Sequence, residues 1–396
     1  MKLNIKNRIY NYLYIWIDEL SQVFKDAGVI IFFLAVPLAY PVLYGIIYNP
    51  ETVHEVPMVV VDQSGSSFSR EFIRKMDASP EVKVISFAAN MNEAIQMTDK
   101  KEAYGILSIP IDFSKNLHTG RKTEVKLFCD MSSLLHYKAF LLTATEVSLD
   151  MGKEIMINET PLVSSKMEEI TSNPVTYESI ALYNPKNGFA TFLLPAILAL
   201  IIQQTLLLGV GMLAGTRRSS QHSEPISQPS GTITVILGRA LAYLSIYIVV
   251  SFWTLVVVPH LFKLPQITNI QTITLFAIPY LLACIFFAMA VSSFIRSREI
   301  PMMIFVFTSL PLLFISGISW PGSSVPVFWE WVSYLFPSTF GIRGFIKINS
   351  TGANLHLISF EYIMLWIQAF VFMLAAVILY KRNYFLHFLH FFHFFH

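Results

Sequence analysis

Four histidines recur at every third position, at His387, His390, His393 and His396, and imidazole is the commonest protein ligand for transition metals. A three-residue step on an α-helix falls about 60° short of a full turn, so the four would fan over half the circumference instead of converging on one ion. An interfacial aromatic tail is the preferred reading of residues 381–396. His54, His118 and His136 are isolated, and no Gly-x-Ser-x-Gly or His-Glu-x-x-His motif accompanies them, which removes the common hydrolytic constellations. The single Gly-Lys pair, Gly152-Lys153, continues into Glu154. A phosphate-binding loop instead needs Gly-x-x-x-x-Gly-Lys-Ser/Thr, to wrap backbone N–H groups and the lysine around phosphates. The chain is expected to have no catalytic residue, cofactor or metal of its own, and so not to be an enzyme.

The remaining groups able to do work sit beside long apolar runs. Residues 28–48, 188–215, 240–262, 273–295, 301–319 and 362–380 contain no Asp, Glu, Lys or Arg. About twenty helical residues cover the roughly 30 Å of bilayer hydrocarbon, and a charge at a helix centre costs about 2.5 to 3.5 kcal/mol. Six such runs in a chain that is 14% charged predict six membrane spans. The first run is too long and too far from the start to be a cleaved signal peptide and is expected to remain as an anchor.

Lys and Arg in the short segments set orientation. With the N-terminus in the cytoplasm, Lys2, Lys6, Arg8, Lys25, Arg217, Arg218, Arg239, Arg296, Arg298, Lys381 and Arg382 lie inside, against Lys263, Arg343 and Lys347 in the short outer loops. That asymmetry places both termini in the cytoplasm and residues 49–187 outside. A formal net charge of +2 leaves no basic surplus for nucleic acid.

Between the first two spans the period changes to short strands and helices. Residues 57–62 form a compact β run closed by Ser64, Gly65 and Ser66, and a helix follows with Phe68, Phe72 and Met76 on one face. Strands are expected at 82–87, 103–109 and 123–129, a helix near 91–98, and a long helix from 132 to about 157. This is a small α/β unit. Cys129 falls in it and Cys284 in the fourth span, so no disulfide is expected. The expected fold class is an α-helical polytopic membrane protein with six transmembrane helices and an inserted extracytoplasmic α/β domain.

Ion-coupled transporters hold titratable groups inside the bilayer, and these spans offer none near their middles. Gln203 and Gln204 in the second span are read as interhelical hydrogen-bonding groups, worth about 0.6 to 2 kcal/mol, or as substrate contacts. Driving energy must then arrive from elsewhere, and two inner elements could receive it. Residues 1–27 form an amphipathic helix, with Ile9, Leu13, Trp16, Leu20 and Phe24 on one side and Asn7, Asn11, Asp18, Gln22 and Lys25 on others. The inner loop, residues 216–239, opens with the connector TRRSSQHSEPISQPSG. Candidate coupling residues are Trp16, Asp18 and Glu19 on the helix and Arg217, Arg218 and Glu224 on the loop; a plain anchor and a plain linker are the alternatives. Residues 320–361 combine Trp320, Trp329, Trp331 and Tyr334 with Pro321, Pro326 and Pro337, predicting short broken helices dipping into the outer leaflet, where they cap a pathway or seal an interface. Gln203, Gln204, Pro321, Trp329 and Pro337 are the pathway or helix-interface candidates.

Three stretches resemble a known family. VVVDQSGSSFSREFIRKMDASPEVKVI with AYGILSIPIDFSKNLHTGRKTEVKLFCDMSS, then LPAILALIIQQTLLLGVGMLAGTRR, then the Pro- and Trp-bearing segment 316–345 are similar to the ABC-2 type permeases. These are membrane subunits of bacterial ATP-binding-cassette exporters, and the likeness is to the branch with a large domain after the first span. The inner loop departs from that family's Arg-Glu-Arg-x-Gly-Thr-Leu-Glu pattern: only Arg217, Arg218 and Glu224 stand in its place, before Ile236-Leu237-Gly238-Arg239. The resemblance implies a dimer of like or related permeases in the bacterial inner membrane, docked on two cytoplasmic ATPase subunits that bind ATP and Mg. ATP-driven closure would pass through the N-terminal helix and the inner loop, and an adaptor on the outer domain is a further implied partner.

A reading from another class is a membrane-anchored assembly or sensory protein with an extracytoplasmic binding domain, although five closely spaced C-terminal spans exceed what an anchor needs. A secondary transporter is disfavoured by the uncharged span interiors. The cargo is not specified by any motif; aromatic, Leu-rich spans would suit an amphipathic or lipid-like molecule.

Overall fold

The computed structural model describes residues 5–48, 53–119, 121–132, 134–159, 189–219, 231–264, 266, 269–318 and 325–393. The chain forms two compact units, one built from Met1–Asn49 and Leu182–His396 and the other from Pro50–Ala181.

In the first unit, α1 (Ile5–Lys25) ends at Asp26, whose Oδ1 accepts from the N–H groups of Gly28 and Val29 and so caps α2 (Ala27–Tyr48). The unit continues with α7 (Phe189–Ser219), α8 (Thr232–Leu261) and α9 (Ile270–Ser292). After these come α10 (Ile300–Ile315), α11 (Val327–Ser333), α12 (Pro337–Thr351) and α13 (Ser359–His393). Five of these helices are long and apolar enough to cross a membrane: α2, α7, α8, α9 and α13. The fifth expected span is α10, whose 16 residues reach about 24 Å.

Prolines shape two of the helices. A proline N–H is missing, so the carbonyl four residues earlier loses its helical partner and the turn widens. Accordingly α2 is a π-helix over Ile31–Ala35, just before Pro37, and α8 over Trp253–Val257, just before Pro259. The freed carbonyls are taken up by side chains, as a non-aqueous setting requires. Pro37 O, released by Pro41, accepts from Thr254 Oγ1 at 3.3 Å, and Leu255 O, released by Pro259, accepts from Gln266 Nε2 at 3.0 Å.

The centre of this unit is α7, buried along most of its apolar length, next to the similarly buried α9; α2 and α13 stand largely exposed at the rim. Close helix approach rests on glycine. At Gly209 a Cβ would lie 1.8 Å from the Phe33 ring, and at Gly344 2.1 Å from Phe276. The short helix α12 is thereby sunk among α7, α9 and α13, with Phe340, Phe345 and Ile348 fully enclosed. Apolar side chains such as Ile46, Phe307 and Ile378 stand exposed on α2, α10 and α13, surfaces stable in hydrocarbon and costly in water.

The second unit is a four-stranded sheet of order β2-β1-β3-β4, with β1 (Val56–Asp62), β2 (Val82–Phe87), β3 (Gly105–Ile109) and β4 (Lys126–Cys129). β1 runs parallel to β2 and β3, and β4 antiparallel to β3. One face packs Met58, Val60 and Leu107 against Phe72 and Met76 of α3 (Ser67–Asp77) and Phe140 and Val147 of α6 (Leu134–Glu159). The other packs Val59, Val61 and Ile106 against Ala94 of α4 (Met91–Asp99). This double burial explains why β1 reads as a continuous apolar run.

Three elements of this unit differ from expectation. The six-residue α5 (Phe113–His118) was not anticipated; it forms because Phe113 is buried against Phe72, ring centroids 6.3 Å apart. β3 and β4 are shorter than 103–109 and 123–129, since pairing starts only at the Gly105–Cys129 and Ser108–Lys126 rungs. Burial pushes the half-buried Cys129 thiol up to about 11. At pH 8 only about one thiol in a thousand is then ionised, and alkylation of Cys129 by iodoacetamide is expected to be slow and to accelerate about tenfold per pH unit up to that value.

Candidate functional site

α1, the end of α7 and the N-terminal half of α8 meet at one carboxylate. Glu19, on the packed side of α1, is 1% exposed. Its Oε2 accepts from Arg217 Nη2 at 2.5 Å and lies 3.2 Å from Arg239 Nε, while Oε1 accepts from the Tyr243 hydroxyl. Arg217 sits near the end of α7 and Arg239 near the start of α8, so Glu19 ties together the two helices that the loop connects. Gln22, one turn on, extends the cluster: its Oε1 accepts from Arg217 Nε at 2.9 Å and its Nε2 donates to Asp18 Oδ2 at 2.7 Å. Trp16 Nε1 donates to Ser245 Oγ of α8 at 3.3 Å. At Gly238 a Cβ would lie 2.8 Å from Ile15 Cγ2, which lets α1 lie close along α8.

A second set of polar contacts fastens the turn after α9. Arg218 donates to the carbonyls of Ser293, at 2.8 Å, and of Ile295. Arg298 Nη2 donates to Asp26 Oδ1 at 2.5 Å, and its Nη1 to Thr216 Oγ1 at 3.3 Å. The joint between α1 and α2, the end of α7, the start of α8 and the α9–α10 turn are thus one hydrogen-bonded block.

Burial by itself would raise the Glu19 carboxyl, but the Arg217 and Arg239 charges outweigh it and hold the group below its ordinary value of 4.5. A depressed acid stabilises the fold fully above its unfolded value, and that contribution is lost as pH falls through the lower folded value. The unfolding temperature of solubilised protein should therefore exceed that of Glu19→Gln at neutral pH, and the gap should close as the pH is taken below 4.5.

The amides of the second predicted set also join helices. Gln203 Oε1 accepts from the Ser338 N–H at 2.6 Å, at the first turn of α12, where Pro337 is pre-shaped for the helix start. Gln204 Nε2 donates to Thr308 Oγ1 of α10 at 3.1 Å. Gln368 of α13 donates to Tyr334 O at 2.8 Å, so the turn between α11 and α12 is held by amides from two helices. Trp329 is 49% exposed on α11 and joins neither set. Glu224 and Pro321 lie outside the described residues, as does His396.

Sequence reasoning named Glu19, Arg217 and Arg218 but missed Arg239, Tyr243, Asp26 and Arg298 as members of the block. The Asp26-Ala27-Gly28 order at the start of an apolar run was an available capping signal. Among the described residues no group of three or more His, Cys, Asp or Glu side chains could hold a metal ion.

Comparison with known proteins places this architecture. ABC transporter G family member 20 of Dictyostelium discoideum is 20% identical over 294 residues, covering 71% of this chain and 39% of that protein; the chain thus spans well under half of the relative's length. The family described as ABC-2 family transporter protein matches residues 27–378. With that match running through both units and every long apolar helix, the chain is a multi-pass membrane protein belonging to the ABC-2 transporter family.

Proposed function

We propose that the chain is the permease subunit of an ATP-driven exporter, forming a translocation path with a second permease, alike or related, and drawing its energy from separate cytoplasmic ABC ATPase subunits that bind ATP and Mg. In this reading α10 is a sixth, short span. Both termini and the inner loop face the cytoplasm of a bacterium, and the Pro50–Ala181 unit stands outside, open to a periplasmic adaptor.

The observation that supports it best is Glu19. A push on α1 or on the inner loop reaches α7 and α8 at once through the Glu19–Arg217 and Glu19–Arg239 pairs, and α7 is the most buried helix of its unit. Such a block transmits a displacement rather than absorbing it, because its members cannot separate without breaking buried charge-assisted hydrogen bonds. The test is affinity capture of the tagged chain from native membranes. An ABC ATPase should co-purify and be lost on deleting residues 219–230 or α1; capture of no ATPase, with transport intact, would refute the reading.

A further inference from the structure

α6 buries Phe140, Val147 and Met151 in its own unit. On another side it presents a second apolar row, Leu135, Leu142 and Leu149, which are 38%, 49% and 49% exposed. A seven-residue step on an α-helix drifts by only about 20°, so the three make a nearly straight seam. The exposed side of α3 in the same unit is wholly polar, Ser67, Arg70, Arg74 and Asp77, whereas on α6 the three leucines run between exposed polar residues, Lys138 and Thr145 on one side and Glu146 and Asp150 on the other. Lys138 and Glu146 flank the seam; both are exposed, and neither enters an ion pair among the described residues. The nearby acids Asp150 and Glu154 are by contrast already held by Lys75 of α3, each at 2.7 Å.

The order Leu135, Lys138, Leu142, Glu146, Leu149 is symmetric about Leu142 in apolarity and antisymmetric in charge. A helix of this kind is complementary to itself run backwards. Turned antiparallel about Leu142, Leu135 meets the partner's Leu149, Leu142 meets its counterpart, and Lys138 comes level with the partner's Glu146. A parallel arrangement would instead set Lys138 level with Lys138, which opposes association. We propose that two copies of this chain meet through α6 of the α/β unit, antiparallel, along the seam centred on Leu142. This deepens the paired-permease reading above and rests on its like-chain form.

Cysteine cross-linking in native membranes tests it, with the wild-type chain as control for Cys129 and Cys284. Leu142→Cys should give an oxidised dimer. Leu135→Cys alone should not, since the two sites would lie about 21 Å apart along the seam, beyond disulfide reach. Differently tagged Leu135→Cys and Leu149→Cys chains, co-expressed, should link to each other. Lys138→Glu should lower the Leu142→Cys dimer yield about fivefold, and adding Glu146→Lys should restore it. A self-link at Leu135→Cys, or no link at any of these positions, overturns the proposal. Native mass measurement of the solubilised complex then separates the causes. Two chains of 45.0 kDa without these links leave the like-chain dimer standing and remove only its α6 contact. One such chain beside a different permease removes the like-chain dimer as well and leaves the export reading intact.

Discussion

Replacing Glu19 by glutamine is expected to lower stability by about 3 to 5 kcal/mol, the cost of removing one side of a buried ion pair, and to uncouple the membrane helices from any motor that acts on them. Glutamine keeps the volume and can still accept from Tyr243, so the loss isolates the charge. Arg217 and Arg239, with side chains 17% and 9% exposed, would then lose the carboxylate that lies between them. Thermal unfolding of solubilised protein reads the first effect. The second is read by ATP hydrolysis and transport in the co-purified complex. The expected result is an ATPase still bound and still hydrolysing, with transport lost. An unfolding temperature within about 1 °C of wild type would show that the cluster is solvated and the block does not exist. Glu19→Gln with Arg217→Met should recover part of the stability, because removing both sides of a buried pair costs less than removing one.

Gly209→Val is the second large effect. The Phe33 ring fills the space where a side chain would stand, 1.8 Å from the position of a Cβ, and it is itself packed on Tyr243 and Tyr247 with ring centroids 5.7 and 5.3 Å away. Phe33 is fully buried, so it cannot swing out into open space. Overpacking costs about 1 to 3 kcal/mol and more where nothing can give, and here the strain passes through Tyr243 to Glu19. Gly209→Val should yield little monodisperse protein on gel filtration. Phe33→Ala alone should cost about 3 to 5 kcal/mol through its cavity. If the ring is the obstacle, the double variant should be better folded than Gly209→Val alone; an equally poor double variant would place the fault elsewhere.

These two predictions show what was legible in the sequence. The apolar runs and their charge-free interiors are one-dimensional properties, and the described part of each expected run falls mostly on a helix. The helix ends moved because a rule based on charge stops at the first arginine while backbone hydrogen bonding does not. Thus α7 continues past Arg217 and Arg218 to Ser219, and α8 begins at Thr232, eight residues ahead of the expected Ala240. Arg239 and Arg298 could be counted as positive charges that orient the chain, but not assigned partners. Their acids, Glu19 and Asp26, lie more than 200 positions away in the chain, a separation that no periodicity encodes. The short α5 and the close approach at Gly209 have the same origin: each depends on a ring supplied by a distant segment, Phe72 in one case and Phe33 in the other.

In the proposed function, work reaches the charge-free spans from a separate nucleotide hydrolase. The most direct test of that route is energisation of chain-dependent transport in inverted membrane vesicles, using a fluorescent amphiphile as the probe and vesicles without the chain as the blank. Uptake should need ATP, persist when an uncoupler collapses the proton gradient, and stop with vanadate. Chain-dependent uptake that proceeds without ATP and disappears with the uncoupler would contradict that route.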